Sequence, residues 1–331
     1  MPLTVELTAP PQDFDARALG QAVARMTAVV AETTLIRLNV TSSFERSVRR
    51  ALVDDPARAA YYTQERGFGF ALAKTITQAD GSIDVIVDAT LFSRLAQAGD
   101  AVRTFEHEGL HIALEQRGES MVDLRHHRGP AARGASEIFA SMASVSAEEY
   151  RVERVLWRAS GDVRADSHLA HFGAIAWRIE ETIRAASSAY ARNPDRALIG
   201  TAVSDAFLAL ATSTAYVAAE IDATGGRRDV AVDVDVYDRL LGEKWRAVIG
   251  ELRRLPPGDV PTTVQRLDLH AHGVAARLED WLAHIGFTWV DDAAGALDFG
   301  VLDTAAWTRP TAAASRAWGA RRTRAHAPSA A

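Results

Sequence analysis

Apolar residues recur at helical spacing through most of the chain, and strand-like runs are concentrated in its first hundred residues. Leu19, Val23 and Met26 follow one another at intervals of four and three residues, which predicts a helix over Ala16–Glu32. The run Thr34–Thr41 is rich in β-branched and aliphatic residues and favours a strand. The amino-terminal part is therefore expected to combine helices with a small sheet.

A β-hairpin is predicted next, and it leads into a helix. Its strands would be Phe68–Thr77 and Ile83–Ala89, joined by a turn at Asp80-Gly81. Asp100 has a side chain typical of a helix N-cap, which predicts a helix over Ala101–Gln116. The sheet is thus expected to end shortly before this helix.

The rest of the chain is predicted to be helical. The polar stretch Gly118–Gly134 contains glycine and proline and indicates a loop, while the stretch after Pro310 has no apolar period and predicts a disordered tail. Helices are predicted at 135–159, 167–191, 194–223, 236–255 and 262–285, with short strands within 287–302. The expected fold class is α+β and predominantly α-helical, with a small β-sheet, the helix that follows it, and a bundle-like helical remainder. Three segments are expected: a core at 1–160, a helical domain at 161–308 and a tail at 309–331.

The composition limits the kinds of metal site and of partner that the protein can have. The 331 residues include no cysteine, so disulfides and cysteine-bound metals are excluded, and a transition-metal site would use histidine and carboxylate. The net charge of −6 argues against nucleic acid as the main partner. The amino terminus lacks the features of a signal peptide, and no apolar run is expected to reach the ~20 residues of a membrane span. A cytoplasmic protein without a membrane segment is expected; the sequence predicts no oligomeric state.

One short stretch, Thr104–Ala113, carries residues with a specific chemistry. It contains His107, Glu108 and His111, and on a helix the two histidines lie one turn apart on the same face. Two imidazoles in this position can bind one metal ion, and the glutamate beside the first can reach a water on that metal. The pattern predicts a Zn²⁺ cofactor bound by His107 and His111, with Glu108 as general base.

A catalytic zinc site needs a third protein ligand, and the predicted helix 135–159 carries the best candidates. Glu149 falls in a gap of an apolar stripe, where a carboxylate must be paired, protonated or bound to metal. That stripe consists of Ile138, Met142, Val145, Val152 and Leu156. Glu149 is therefore the favoured third ligand. Glu153, one turn further on, is an alternative ligand or a partner of the ligands.

Other interpretations of these glutamates stay open. Glu137 and Glu148 are expected on a wet face with Ser141 and Ser144, although Glu137 is also an alternative ligand. His126 and His127 in the predicted loop are further alternatives. Glu149 could instead cap a helix together with Ser146, or form an ion pair with Arg151 or Arg154.

The run TFEHEGLHIA, preceded by a hairpin, resembles the signature of the zincin metallopeptidases, and in particular of the glutamate zincins (gluzincins) and their minimal forms. The resemblance implies a zincin core at 1–160 and an edge strand that binds the substrate backbone, at 68–77 or 83–89. Glu137 lies 26 positions after His111, which is closer to the spacing of many gluzincins. The resemblance also implies a His or Tyr that stabilises the oxyanion, with the candidates His126, His127, Tyr150, His168 and His171. His168 and His171 are otherwise expected to be a solvent-exposed pair.

The predicted function is a zinc-dependent peptidase that hydrolyses a peptide or protein substrate. Two other classes stay open. One is a catalytically inactive, zincin-like helical protein with an interaction or regulatory role, which metal content would distinguish. The other is a zinc hydrolase with a different substrate, which a peptide-library screen would distinguish.

Overall fold

A computed structural model describes most of the chain and confirms a mixed α+β fold that is predominantly helical. The described residues are 3–33, 35–66, 69–93, 98–121, 134–160, 167–225, 234–291 and 296–308. The strands are β1 (Thr4–Thr8), β2 (Ile36–Thr41), β3 (Glu65–Arg66), β4 (Gly69–Phe70), β5 (Ala73–Thr77), β6 (Ile83–Asp88), β7 (Phe287–Asp291) and β8 (Leu297–Val301). The helices are α1 (Ala16–Val29), α2 (Phe44–Ala51), α3 (Pro56–Tyr61), α4 (Ala98–Gln116), α5 (Ala135–Ser160), α6 (His168–Arg192), α7 (Arg196–Ala223), α8 (Gly242–Leu252), α9 (Val264–His284) and α10 (Ala305–Thr308).

The main sheet has four strands in the order β1-β2-β6-β5. The first three are parallel, and β5 runs antiparallel to β6 with Thr75 opposite Val85. The hairpin of β5 and β6 agrees with the sequence prediction, except that its first strand begins at Ala73 and not at 68, because Gly69–Phe70 pairs with β3. The parallel pairing of β1, β2 and β6 was not predicted. Since β5 ends the sheet, it is the edge strand of the predicted hairpin.

Helix α4 packs on the sheet and on α1 through its buried apolar face. Phe105 and Ile112 are fully buried in the same cluster as Met26 of α1 and Val85 of β6. Gly109 allows the close approach of α1, because a Cβ atom there would lie 2.8 Å from Cγ2 of Val29. The glycine between Glu108 and Leu110 therefore has a packing function.

The later helices share a second, larger core. Phe172 of α6, Phe207 of α7 and Trp281 of α9 are fully buried in it, together with residues of α5. Helix α7 is the one helix among the described residues that is long and apolar enough to cross a membrane, with an 18-residue window of mean hydropathy 1.4. The sequence expectation that no run reaches this length missed α7. Its fully buried Phe207 and Leu210 are part of the helical core, and a core helix can have the same composition.

A small apolar cluster joins the two cores and brings α4 against α5. Leu110 and Leu114 of α4 pack there with Val152 and Leu156 of α5. Each leucine lies three residues after a histidine of α4, and each of the other two lies three residues after a glutamate of α5. Because residues three apart share a helix face, this packing turns His107 and His111 toward Glu149 and Glu153.

The start of α4 differs from the sequence prediction. Helix α4 begins at Ala98, so Asp100 lies in its first turn and is not its N-cap. The domain boundary at 160 stays a prediction, although residues of α5 are part of the same core as the later helices. The predicted tail at 309–331 lies outside the described residues.

Candidate metal centre

Three side chains from two helices converge beside this cluster. His107 and His111 come from α4 and Glu149 from α5, and one donor atom of each lies within 4.8 Å of the others. The Nε2 atoms of the two histidines are 3.1 Å apart. Oε2 of Glu149 lies 3.3 Å from Nε2 of His107 and 3.8 Å from Nε2 of His111. The structure therefore brings together the three residues that the sequence predicted as ligands.

The separations agree with a single metal ion among these donors. Tetrahedral zinc with bonds of about 2.0–2.1 Å separates its ligand atoms by about 3.3 Å. Two imidazoles and one carboxylate also form the ligand set of a common class of catalytic zinc site. The residues present thus fit zinc, although imidazole also suits other transition metals.

Each histidine is held through its second nitrogen by a buried carboxylate of α5. Nδ1 of His107 lies 3.0 Å from Oε1 of Glu153, and Nδ1 of His111 lies 2.7 Å from Oε1 of Glu148. With the proton on Nδ1, each ring presents the lone pair of Nε2 to the space shared with Glu149. Carboxylates in this position orient metal-binding histidines and increase their basicity.

The two supporting carboxylates are themselves held in place. Glu153 accepts a hydrogen bond from Arg103, one turn before His107 on α4. Glu148 accepts from the backbone amide of Met121 at 2.6 Å. Gly118, with φ of +67°, allows the chain to turn back after α4 and bring Met121 to this position.

A buried ion pair fixes the same turn to α5. Arg151 is fully buried and donates to Glu119 at 2.5 Å, and Arg117 also donates to Glu119 at 3.0 Å. Arg151 further donates to the carbonyl of Pro256 at 3.1 Å. These contacts connect the end of α4, the middle of α5 and the segment after α8, so the backbone that holds Glu148 is well anchored.

The candidate general base contacts the edge strand. Glu108 is buried, and its Oε2 accepts a hydrogen bond of 2.5 Å from the hydroxyl of Thr75 on β5. Ile76, the next residue, is buried on the opposite side of the sheet in the cluster with α2. The alternation of a strand therefore places Thr75 on the α4 side.

A tyrosine and a third histidine complete the surroundings. Tyr216 of α7 donates its hydroxyl to Oε2 of Glu149 at 3.1 Å. His168, the first residue of α6, stacks on the ring of Tyr216 with centroids 4.7 Å apart and an interplanar angle of 29°. Nε2 of His168 lies 3.5 Å from Oε2 of Glu153.

The electrostatics of the site favour a cation between these groups. Burial lowers the pKa of His107, but Glu149 and Glu153 outweigh this and raise it to about 9. Burial likewise lowers the pKa of His111, whereas Glu148 and Glu149 raise it well above its usual value. Burial raises the pKa of Glu149, and the two histidines shift it well below its usual range. The cluster can be neutralised by protons on the imidazoles or by a metal cation.

Burial, Glu149 and Glu153 together raise the pKa of Tyr216 well above its usual value. Its phenol therefore stays protonated and can donate a hydrogen bond at neutral pH.

The structure corrects part of the sequence interpretation of α5. Glu149 lies in the middle of α5, so the alternative in which it caps a helix together with Ser146 is wrong. Glu153 is in the position of a partner to His107, one of its two predicted roles. Glu148 and Ser144 are buried, which corrects the expected wet face. The reason is that the end of α4 and the turn after it cover this side of α5, where Glu148 contacts His111 and the amide of Met121.

The other candidates lie elsewhere. Glu137 is exposed near the start of α5 and is not in the group formed by His107, His111 and Glu149. The hydroxyl of Tyr150 donates to Asp222 at 2.5 Å. His171 is exposed as expected, whereas His168 lies beside the site, which corrects the expectation of an exposed pair. His126 and His127 lie outside the described residues.

Sequence reasoning missed two residues of the site. Tyr216 lies 67 residues after Glu149, on a helix that is otherwise largely apolar. A tyrosine and a glutamate four residues apart in such a helix, Tyr216 and Glu220, could have indicated buried polar partners. Thr75 carries no comparable signal, because threonine is an ordinary strand residue.

Comparison of the chain with protein-family models, curated proteins and solved structures finds no match. The resemblance to zincins therefore stays a prediction from the motif and the hairpin before it. Chemically, that arrangement offers three donors for a metal ion, a carboxylate beside them, and a phenolic hydrogen-bond donor on the Glu149 side.

Proposed function

We propose that the protein is a zinc-dependent peptidase in which His107, His111 and Glu149 hold the metal ion. The observation that carries the proposal is the mutual spacing of 3.1, 3.3 and 3.8 Å among the three donor atoms. A pair of solvated surface histidines would need neither a buried carboxylate on each Nδ1 nor a shared third carboxylate. The cytoplasmic location stays a prediction from the sequence.

The charge of the surroundings also supports a divalent cation. Glu148, Glu149 and Glu153 contact the two imidazoles, and Glu108 follows His107 directly on α4. Among the residues that the structure describes, Arg103 is the permanently charged cation in direct contact with these glutamates, through Glu153. Buried carboxylates are costly without compensating positive charge, and a zinc ion would supply it.

Glu108 would act as general base and Tyr216 as a hydrogen-bond donor. When bound, zinc would lower the pKa of a water molecule at its open position and polarise the scissile carbonyl. Glu108 would accept a proton from the attacking water and transfer it to the leaving amine. The hydroxyl of Tyr216, on the Glu149 side of the site, would donate to the oxygen on which negative charge develops.

The edge strand supports a peptide as substrate. Strand β5 is paired with β6 on one side, and no described strand pairs with its other side. An extended peptide can add to such an edge through main-chain hydrogen bonds. Because Thr75 of β5 contacts Glu108, a peptide bound along this strand would lie near the general base.

The test combines elemental analysis with a peptide-library screen read by mass spectrometry. We expect about one zinc per chain in the wild type, the stoichiometry of a single catalytic site. Glu108→Gln should keep the zinc and cleave roughly 10²–10⁴-fold more slowly, the usual contribution of a general base. Chelation should abolish cleavage and added zinc should restore it.

Glu106→Gln is the matched control. Glu106 lies on the same helix and its described ion pair is with the exposed Arg25 at 3.4 Å, so the variant should cleave like the wild type. A zinc-loaded wild type that leaves every peptide intact would contradict the peptidase proposal. Equal cleavage by Glu108→Gln and the wild type would show that Glu108 is not the base.

A further inference from the structure

His168 lies between two parts of the proposed site and contacts both. One face of its ring stacks on Tyr216, with centroids 4.7 Å apart. Its edge atom Nε2 lies 3.5 Å from Oε2 of Glu153, whose other oxygen binds Nδ1 of His107. The imidazole thus touches the phenol on the Glu149 side and the carboxylate on the His107 side.

The start of α6 is fixed so that His168 meets Tyr216. Ser167 is the N-cap of α6, and both its hydroxyl and the amide of Leu169 donate to the buried Glu220 of α7. Tyr216 and Glu220 are four residues apart on α7 and share a helix face. Because Ser167 and Leu169 are both bound to Glu220, His168 between them is held against Tyr216.

Aromatic packing limits the movement of the imidazole from another side. Trp157 of α5 lies edge-on to His168 at 6.2 Å, and Arg103 lies over the Trp157 ring at 5.2 Å. Nε2 of His168 is buried and has no hydrogen bond of good geometry in the described part of the chain. Its interaction with Glu153 is therefore a contact of proximity, with Nε2 3.5 Å from Oε2.

We propose that His168 is a positioning residue with two separable effects, and this rests on the proposed function. Its ring face holds the hydroxyl of Tyr216 beside Glu149. Its Nε2 edge holds Glu153 against Nδ1 of His107 and so keeps that ligand in orientation. The first effect acts on the rate of peptide cleavage, and the second acts on metal affinity.

Two substitutions separate the effects. His168→Phe keeps a flat ring for the stack and removes the nitrogen near Glu153. His168→Gln keeps a polar group near Glu153 and removes the ring. His171→Ala is the control, because His171 is exposed one turn further along the same helix.

For His168→Phe we expect a zinc dissociation constant raised about 3–10-fold, less than the 10–100-fold typical of removing a direct partner of a ligand. Its kcat at saturating zinc should stay close to the wild-type value. For His168→Gln we expect zinc affinity close to wild type and kcat reduced about 10-fold, less than the loss of an oxyanion donor itself. Crystal structures should show Tyr216 in place in the Phe variant and displaced in the Gln variant.

Unchanged zinc affinity in His168→Phe would overturn the Glu153 half of the proposal. An unmoved Tyr216 together with unchanged kcat in His168→Gln would overturn the other half. If the wild type binds zinc but cleaves no peptide, the peptidase proposal fails. Zinc titration and the crystallographic position of Tyr216 then still decide the role of His168. If the wild type binds no zinc, the Tyr216 position and the Glu153–His107 distance in the variant structures decide it.

Discussion

Helices α4 and α5 meet at the candidate site but contribute to it in different ways. Helix α4 supplies two histidines whose relation is set by one turn of a helix. Helix α5 supplies three carboxylates, and each contacts a different part of the histidine pair. Glu149 contacts the two Nε2 atoms, Glu153 contacts Nδ1 of His107, and Glu148 contacts Nδ1 of His111. The geometry on α4 is local, whereas that on α5 exists only because Leu110 and Leu114 pack against Val152 and Leu156.

This difference shows where the site depends on tertiary packing. A histidine pair could keep its spacing in an isolated helix. The carboxylates gain their roles only when α4, α5 and the turn at Gly118 are assembled, since Met121 and Arg103 fix them in place. Substitutions of the α5 carboxylates are therefore the ones that can weaken metal binding without unfolding the protein.

Among the residues that support the proposed ligands, the largest effect is expected from the carboxylates on Nδ1. Glu153→Gln and Glu148→Gln should each weaken zinc binding about 10–100-fold, because an amide orients the imidazole less well and does not increase its basicity. Competition with a chromophoric chelator measures the affinity. Glu137→Gln, an exposed glutamate on the same helix, should bind zinc like the wild type. Wild-type affinity in both buried variants would mean that the contacts on Nδ1 do not serve the metal.

A smaller effect is expected where the edge strand meets α4. Thr75→Val removes the hydroxyl that donates to Glu108 and keeps the shape of the side chain. We expect kcat for peptide cleavage to fall about 10-fold, a fraction of the full contribution of a general base, with zinc affinity unchanged. Thr75→Ser keeps the hydroxyl and should restore most of the rate.

Thr77→Val is the control for this strand, since Thr77 is exposed two residues further along β5. Equal kcat values for Thr75→Val and Thr77→Val would contradict a positioning role for the hydroxyl of Thr75.

The sequence predicted those features that depend on local periodicity. The helical class of the fold, the β5–β6 hairpin and the histidine pair follow from spacing alone. Glu149 was predicted as the third ligand because its position interrupts an apolar stripe, which a carboxylate does not do without a partner. That role stays a prediction.

The features that the sequence did not predict depend on contacts between distant segments. Glu148 was expected on a wet face, but its neighbours in space, Met121 and His111, lie 27 and 37 residues earlier in the chain. Two further features were not predicted for the same reason. They are the parallel pairing of β1, β2 and β6 and the position of Tyr216. Periodicity identifies a buried face but does not show which segment covers it.

The central claim is that His107, His111 and Glu149 hold one zinc ion. The most direct test is the zinc content of the wild type, Glu149→Gln and Glu137→Gln, after identical exposure to a weak chelator. We predict about one zinc per chain in the wild type and in Glu137→Gln, and little or none in Glu149→Gln. Full zinc content in Glu149→Gln, or its loss in Glu137→Gln, would contradict the assignment of Glu149. A wild type that takes up no zinc would contradict the metal site as a whole.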